Sequence, residues 1–278
     1  SHIQDKTIYL SFDIEDWFQV PFVKNNIKRS EWDNLPSIVF DGTIIILKLL
    51  KRYNIKATFF IVGWIAKKYP SLVKMISDDG HEIASHGFGH QTLDTIEYND
   101  LKDDLYKSIE ILHETSGIRP IGYRAPMGSI NKKNQWVLNE LEAQGFLYDS
   151  SIYPSQSFVH SGNSQINPRA HEIISGFWEI PLTVEKYFNI PIPLSGGFYL
   201  RFIPFPIFRK LLKKHLLKSE HAVLYYHPWE FYTDYPRVIK NPLKYFVQYY
   251  NLNSVESKLE ILLEKYQFHP LKNLIINN

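Results

Sequence analysis

Residues 7–12 read TIYLSF and residues 11–20 read SFDIEDWFQV. The first run has the pattern of a buried strand, yet it ends in Asp13, Glu15 and Asp16, three carboxylates within four positions. A buried strand that stops at charge is what a parallel sheet with chemistry at its strand ends requires, and the rest of the chain repeats the arrangement. Asp41 opens a helix through Tyr53, and Lys56–Val62 reads as a second strand. Pro70 opens and Gly80 closes the next helix; then come a strand at Glu82–His86, a helix from about Asp100 to Thr115 ending near Gly117, and a strand around Pro120–Arg124. Asn131–Gln144 is helical, with Gly145 as its stop. Strand candidates Phe146–Asp149, Phe177–Leu182 and Ala222–His227 follow, with helices at about Phe205–Lys218 and Ser254–Tyr266. Seven core strands in this rhythm predict an α/β fold with a mainly parallel sheet, its polar clusters gathered at the C-terminal mouth of a β/α barrel.

The 278 residues show no internal repeat and no long Gly/Ser linker, so 1–278 reads as a single domain. Residues 150–176 and 183–204, rich in Ser, Pro, Gly and Asn, read as loop insertions over the barrel mouth, and a helical extension begins at about 240. With 31 basic against 29 acidic residues the net charge is +2, which favours neither nucleic acid nor an anionic membrane as a partner. No apolar run reaches the roughly 18 residues of a membrane span, since FFIVGWIA stops at Lys67 and IIILKLL already contains Lys48. The absence of cysteine removes disulfides and thiolate ligands without locating the protein. Ser1-His2 reads as a tag remnant in place of a start methionine, and localisation stays open between cytoplasm and cell envelope. Eighteen Tyr and eighteen Phe exceed what packing alone usually needs and suit a sugar-binding surface.

Three further clusters join the first. In SHGFGH, His86 and His90 are four apart, and the intervening glycines let the backbone bend tightly. Two such imidazoles with one carboxylate are the donor set of a catalytic zinc or similar divalent site. GYRAPMGS sets Arg124 beside Pro126 and Gly128, and LYYHPWEF delivers His227 from an apolar strand. Each alone has a plain structural reading: a surface histidine pair, a surface ion pair, a satisfied core histidine. Their coincidence at successive strand ends favours chemistry.

The chain resembles the metal-dependent polysaccharide deacetylases, carbohydrate esterase family four, whose five ordered motifs match SFDIED, SHGFGH, RAP, YDSS and YYHP. FDIEDWFQV, RAPMGS, YDSSIYP, SGGFYLR and YHPWEF look like a subgroup associated with bacterial exopolysaccharide and exosortase loci, so the resemblance covers nearly the whole chain. It implies a distorted, incomplete β/α barrel that removes N-acetyl groups from glycans, with a divalent metal, Zn²⁺ first and Co²⁺, Ni²⁺ or Mn²⁺ as alternatives. It makes Asp13 the general base, oriented by Arg124, and His86 and His90 metal ligands. His227 becomes the general acid, with Asp149 keeping its imidazole charged. The backbone N–H of Met127, where many members have tyrosine, becomes an oxyanion donor. Trp17 and Trp229 are candidates for the apolar sugar wall that the fourth motif's missing tryptophan usually provides. The family places base and carboxylate ligand side by side, but Ile14 occupies that second position. The third ligand is therefore Glu15, two residues from Asp13 and on the same strand face, or Asp16, brought under the metal by a turn.

Three other activities compete. An amidohydrolase of the same fold acting on a cyclic imide or ureide keeps the site and changes the substrate. A catalytically silent carbohydrate-binding module accounts for the aromatic residues alone. A two-carboxylate glycosidase explains neither the histidine pair nor Arg124.

Overall fold

The computed structural model describes residues 6–24, 27–155, 163–219 and 221–276. Its strands are β1 (Thr7–Ile14), β2 (Thr58–Ile61), β3 (Glu82–Ser85), β4 (Gly122–Tyr123), β5 (Tyr148–Asp149), β6 (His171–Ile174), β7 (Phe177–Glu179), β8 (Val184–Tyr187), β9 (Ile190–Pro193), β10 (His221–Tyr226) and β11 (Gln267–His269). The seven core strands expected from the sequence form one curved parallel sheet in the order β10-β1-β2-β3-β4-β5-β7. In β1, Ile8, Leu10, Phe12 and Ile14 are all fully buried. Helices cover the sheet, which is why a central parallel strand carries an almost unbroken apolar run.

The sheet curls toward a barrel without closing its backbone ladder. Between β7 and β10 the join is made by side chains. Val223 N donates to Thr183 Oγ1 at 2.7 Å, Thr183 N donates to Ser195 Oγ at 2.8 Å, and Ser195 Oγ donates to Val223 O. These bonds satisfy an edge that would otherwise expose unpaired amides. The fold is thus an incomplete α/β half-barrel, in agreement with the expected class.

Several local readings shift. The helix expected at Asn131–Gln144 begins only at Trp136, because Asn134 Oδ1 accepts from Asn131 N at 2.7 Å and Asn131 Oδ1 from Lys133 N at 2.9 Å. Such side-chain turns compete with the first helical turn. Residues 171–174 form β6, antiparallel to β7. Residues 184–193 form the β8–β9 hairpin, whose tip residues Phe188 and Asn189 take positive φ, as a tight two-residue hairpin turn requires. The expected insertion at 150–176 includes residues 156–162, which lie outside the described residues, as do Ser1 and His2. After 240 the helices Pro242–Tyr249, Val255–Leu263 and Lys272–Ile276 are interrupted by β11, a three-residue strand too short to announce itself, which pairs with Thr7–Tyr9 of β1. Among the described residues no helix is long and apolar enough to cross a membrane.

Candidate metal and catalytic centre

The C-terminal ends of β1, β3, β4 and β10 open on one pocket of about 1050 Å³, its mouth included, reached by Asp13, Glu15, His86, Arg124 and His227. Glu15 lies just past the end of β1. Its N–H turns back to Asp13 O at 3.1 Å while Ile14 stays in the core. The carboxylate is 4 % exposed and places Oε2 at 2.6 Å from His90 Nε2 and 3.9 Å from His86 Nε2. Candidate ligand atoms of Glu15, His86 and His90 all lie within 4.8 Å of one another.

The chemistry of this set suits a divalent cation. His86 Nδ1 faces the carbonyl of Arg124 at 2.8 Å. A carbonyl only accepts, so Nδ1 carries the proton and the Nε2 lone pair points at the acidic side of the pocket, with the carbonyl fixing the tautomer and ring direction of a ligating histidine. Burial by itself raises a carboxyl pKa, but the facing His90 and His227 hold Glu15 well below the usual range. The loop carrying His90 is shaped by Asp104, which accepts from Phe88 N at 2.8 Å and Gly89 N at 2.7 Å. Gly87 has φ +69°, and a side chain there meets Asp104 Oδ2 at 2.8 Å. Glycine is therefore needed for both conformation and space.

Asp13 is buried beside this triad. Arg124 Nη1 donates to its Oδ1 and to Ser11 Oγ, both at 2.8 Å. Arg124 is held in turn by Ser150, with Nε donating to its carbonyl at 2.6 Å and Nη2 to its hydroxyl at 2.9 Å. The guanidinium lies 4.1 Å from the Phe60 ring centroid and 4.9 Å from that of Tyr225. An arginine so enclosed keeps a fixed charge and a fixed direction.

Asp16 is directed elsewhere. Its carboxylate accepts from Trp17 N at 2.9 Å, Ile38 N at 3.2 Å and the Ser37 hydroxyl, and it takes no part in the triad. Asp16→Asn is expected to cost about 1–3 kcal/mol of stability while bound metal per chain stays unchanged, measured by denaturant unfolding and metal analysis. Loss of metal with intact stability would contradict this placement.

Two expected contacts are corrected. Asp149 does not reach His227: it accepts from Ser151 Oγ at 2.6 Å and Ser151 N at 3.0 Å, and it shares a buried carboxyl pair with Glu179. Its carboxylate is taken up at its own strand end by Ser151 and by Glu179 of the adjacent β7, and not by the strand that carries His227. The imidazole is served instead by Glu230, whose Oε2 meets His227 Nδ1 at 3.1 Å. Burial pushes the His227 pKa down, but Glu15 and Glu230 outweigh it and hold the imidazole above the ordinary histidine value. Trp17 is not a sugar wall. It is a core residue, with Nε1 donating to Pro36 O at 2.8 Å and its ring stacked on Tyr235.

Trp229 does border the pocket. It stacks on His227 with ring centroids 4.6 Å apart and donates from Nε1 to Glu15 Oε1 at 3.2 Å. Met127 also lines the pocket, with left-handed backbone at φ 59° inside the Pro126–Gly128 turn. Ser151 Oγ accepts from Ala125 N at 2.8 Å and so ties that turn to Asp149. Residues the sequence reading missed are Asp104, Ser150, Ser151, Arg201 and Glu230. Ser150 and Ser151 lie in the YDSS segment and Arg201 in SGGFYLR, which marked the segments without assigning these residues, and Glu230 stands three residues from His227 in HPWE, the capping-box spacing.

A family model for Polysaccharide deacetylase matches residues 2–146, just over half of the chain, and one described as Domain of unknown function (DUF3473) matches residues 150–276. The chain is 35 % identical over 113 residues to the peptidoglycan-N-acetylglucosamine deacetylase of Bacillus cereus, covering 41 % of this chain and 40 % of that protein. It is 34 % identical over 124 residues to the peptidoglycan deacetylase of Helicobacter pylori, covering 43 % and 41 %. The matched region therefore spans about two fifths of these curated relatives. The crystal structure of a Mycobacterium smegmatis protein assigned to the polysaccharide deacetylases superposes with TM-score 0.64 at 19 % identity, over 99 % of this chain and 91 % of that one. A CE4 family pseudoenzyme from Bacillus anthracis reaches TM-score 0.51 at 15 % identity over 98 % and 66 %, so the fold alone does not decide activity. The motif-bearing first half, with Asp13, Glu15, His86, His90 and Arg124 at its strand ends, carries the family match, and the chain belongs to the polysaccharide deacetylase family.

Proposed function

We propose that this protein is a divalent-metal-dependent hydrolase, with zinc the first candidate, that removes N-acetyl groups from N-acetylhexosamine units of a bacterial polysaccharide or its precursor. We also propose that residues 1–278 act as one catalytic unit of the exopolysaccharide-associated kind. The observation that carries this reading is the buried Glu15–His86–His90 triad, flanked by the Asp13–Arg124 pair and by His227. The curated relatives named above act on peptidoglycan, and the aromatic rings of Phe22, Phe198, Tyr199, Tyr225 and Trp229 around the pocket suit a sugar.

Glu15, His86 and His90 would hold the metal, which when bound supplies Lewis-acid polarisation of the acetyl carbonyl and acidifies water. Asp13, oriented by Arg124, accepts the proton of the attacking water. The Met127 N–H donates to the oxygen that gains negative charge. His227 protonates the departing sugar nitrogen, because an amine leaves poorly as its anion. The test is acetate release from N-acetylated glycan oligomers by purified protein before chelation, after it, and after addition of Zn²⁺. Release that chelation abolishes and the cation restores is expected; full release from verified metal-free protein would overturn the reading. Hydrolysis of a cyclic ureide without acetate release would reassign the substrate.

A further inference from the structure

The SGGFYLR segment, residues 195–201, contributes a buried cation that the reaction outlined above does not use. Arg201 lies in a short helix, Gly197–Phe202, and lines the pocket together with Glu230. Its Nε is 3.3 Å from Glu230 Oε1, with both side chains buried. The guanidinium is anchored from behind: Nη1 donates to Tyr250 O at 2.6 Å and Nη2 to Val247 O at 3.2 Å. Glu230 uses its other oxygen for the histidine, where Oε2 accepts from His227 N at 3.0 Å and meets Nδ1 at 3.1 Å. One carboxylate is thus divided between a fixed cation and the imidazole.

The surroundings leave this carboxylate no other seat. A Cβ added at Gly197 falls directly on the Glu230 carboxylate, so only glycine lets the helix pass over it. On the opposite side the His227–Glu230 turn rests on Gly42, where a Cβ would strike the Pro228 carbonyl. Glu230 N donates to His227 O at 3.1 Å and closes the turn. A buried carboxylate without a counter-charge takes up a proton or rotates toward any available donor. Arg201 supplies the counter-charge at 3.3 Å from Oε1, and Oε2 is the acceptor that faces the imidazole Nδ1, leaving Nε2 to face the pocket.

We infer that Arg201 is a positioning residue that acts through Glu230 on His227, so that Arg201–Glu230–His227 forms an acid relay in place of the Asp149 link. All three members lie in the region matched by the second family model, 150–276, whereas the triad and Asp13 lie in the first. The relay rests on the proposed amide hydrolysis, in which His227 is the proton donor. Because Arg201 also lines the pocket, the relay is distinguished from direct substrate contact by requiring that its effect on kcat run through the carboxylate.

A double-mutant cycle on the metal-loaded protein tests it, with a soluble N-acetylated chitooligosaccharide as substrate. Arg201→Gln should lower kcat about 100-fold with KM and metal content unchanged, and Arg201→Lys, which keeps the charge but not the guanidinium contacts, should recover about tenfold and leave a deficit of about tenfold. Glu230→Gln should cause a similar fall. Adding Arg201→Lys to Glu230→Gln should cost nothing more, because the route to His227 is already cut. Should Arg201→Gln fail to fold, the Arg201→Lys and Glu230→Gln cycle alone decides. Additive losses, or losses confined to KM or metal content, would overturn the relay. The imidazole ¹⁵N signals of His227, assigned by their absence in His227→Ala, are read in parallel and need no turnover. They should show a hydrogen-bonded Nδ1–H that Arg201→Lys perturbs; unchanged signals would also overturn the relay. Wild-type protein that releases no acetate would defeat the hydrolase reading instead.

Discussion

Glu15→Gln is expected to strip the site of its metal and lower acetate release by more than about 100-fold, at nearly unchanged stability. The amide has the volume of the carboxylate but no charge to offer a cation. It also loses the attraction that now brings Oε2 to 2.6 Å from His90 Nε2. Trp229 Nε1, which donates to Oε1 at 3.2 Å, finds an acceptor in the amide oxygen as well, so the local packing survives. Metal analysis of Glu15→Gln beside Asp16→Asn separates their roles, since Asp16 serves Trp17, Ser37 and Ile38 and not the histidines. Metal retained in the first variant and lost in the second would exchange the two assignments.

Asp13→Asn is expected to do the reverse, keeping metal while lowering kcat by about 100-fold or more. Asp13 lies beside the triad, with Oδ2 at 4.0 Å from His86 Nε2, and its Oδ1 is fixed by Arg124. Asparagine presents an oxygen to the guanidinium in the same place, and the arginine keeps Ser11 and both Ser150 contacts. What disappears is the basic oxygen that accepts a proton from water. Near-normal kcat in the variant would move the base elsewhere. An equal loss of metal would make Asp13 a ligand.

These two substitutions differ by two positions in sequence, and their contrast shows where sequence reasoning stops. The strand ladder was legible because its cause is local: apolar runs of strand length, bounded by Gly, Pro and capping residues, form parallel strands wherever helices can cover both faces. Asp13, His86, Arg124 and His227 were legible for the same reason, as each follows such a run directly. The choice between Glu15 and Asp16 was not. The chain leaves its strand after Ile14, and a turn between Asp13 O and Glu15 N, not strand alternation, sends Glu15 into the pocket. Asp16 is captured by the start of the helix Val39–Arg52, whose N-cap residue Ile38 lies 22 residues away.

Partnership between distant charges was decided by tertiary structure alone. Asp149 and His227 look paired by motif order, yet Asp149 turns to Ser151 and to Glu179 on the adjacent strand. Glu230, three residues from His227, takes the imidazole because a tight turn folds it back, and Arg201 reaches it only through the helix that follows the β8–β9 hairpin. Trp17 was similarly ambiguous, since an indole after a strand end suits a sugar or a core equally until Pro36 and Tyr235 are placed around it. Periodicity and capping act over a few residues and are written in the chain. Which buried charge meets which counter-charge depends on side-chain direction and on segments hundreds of residues apart, and the cost of an unpaired buried charge settles it only once the fold has brought the candidates together.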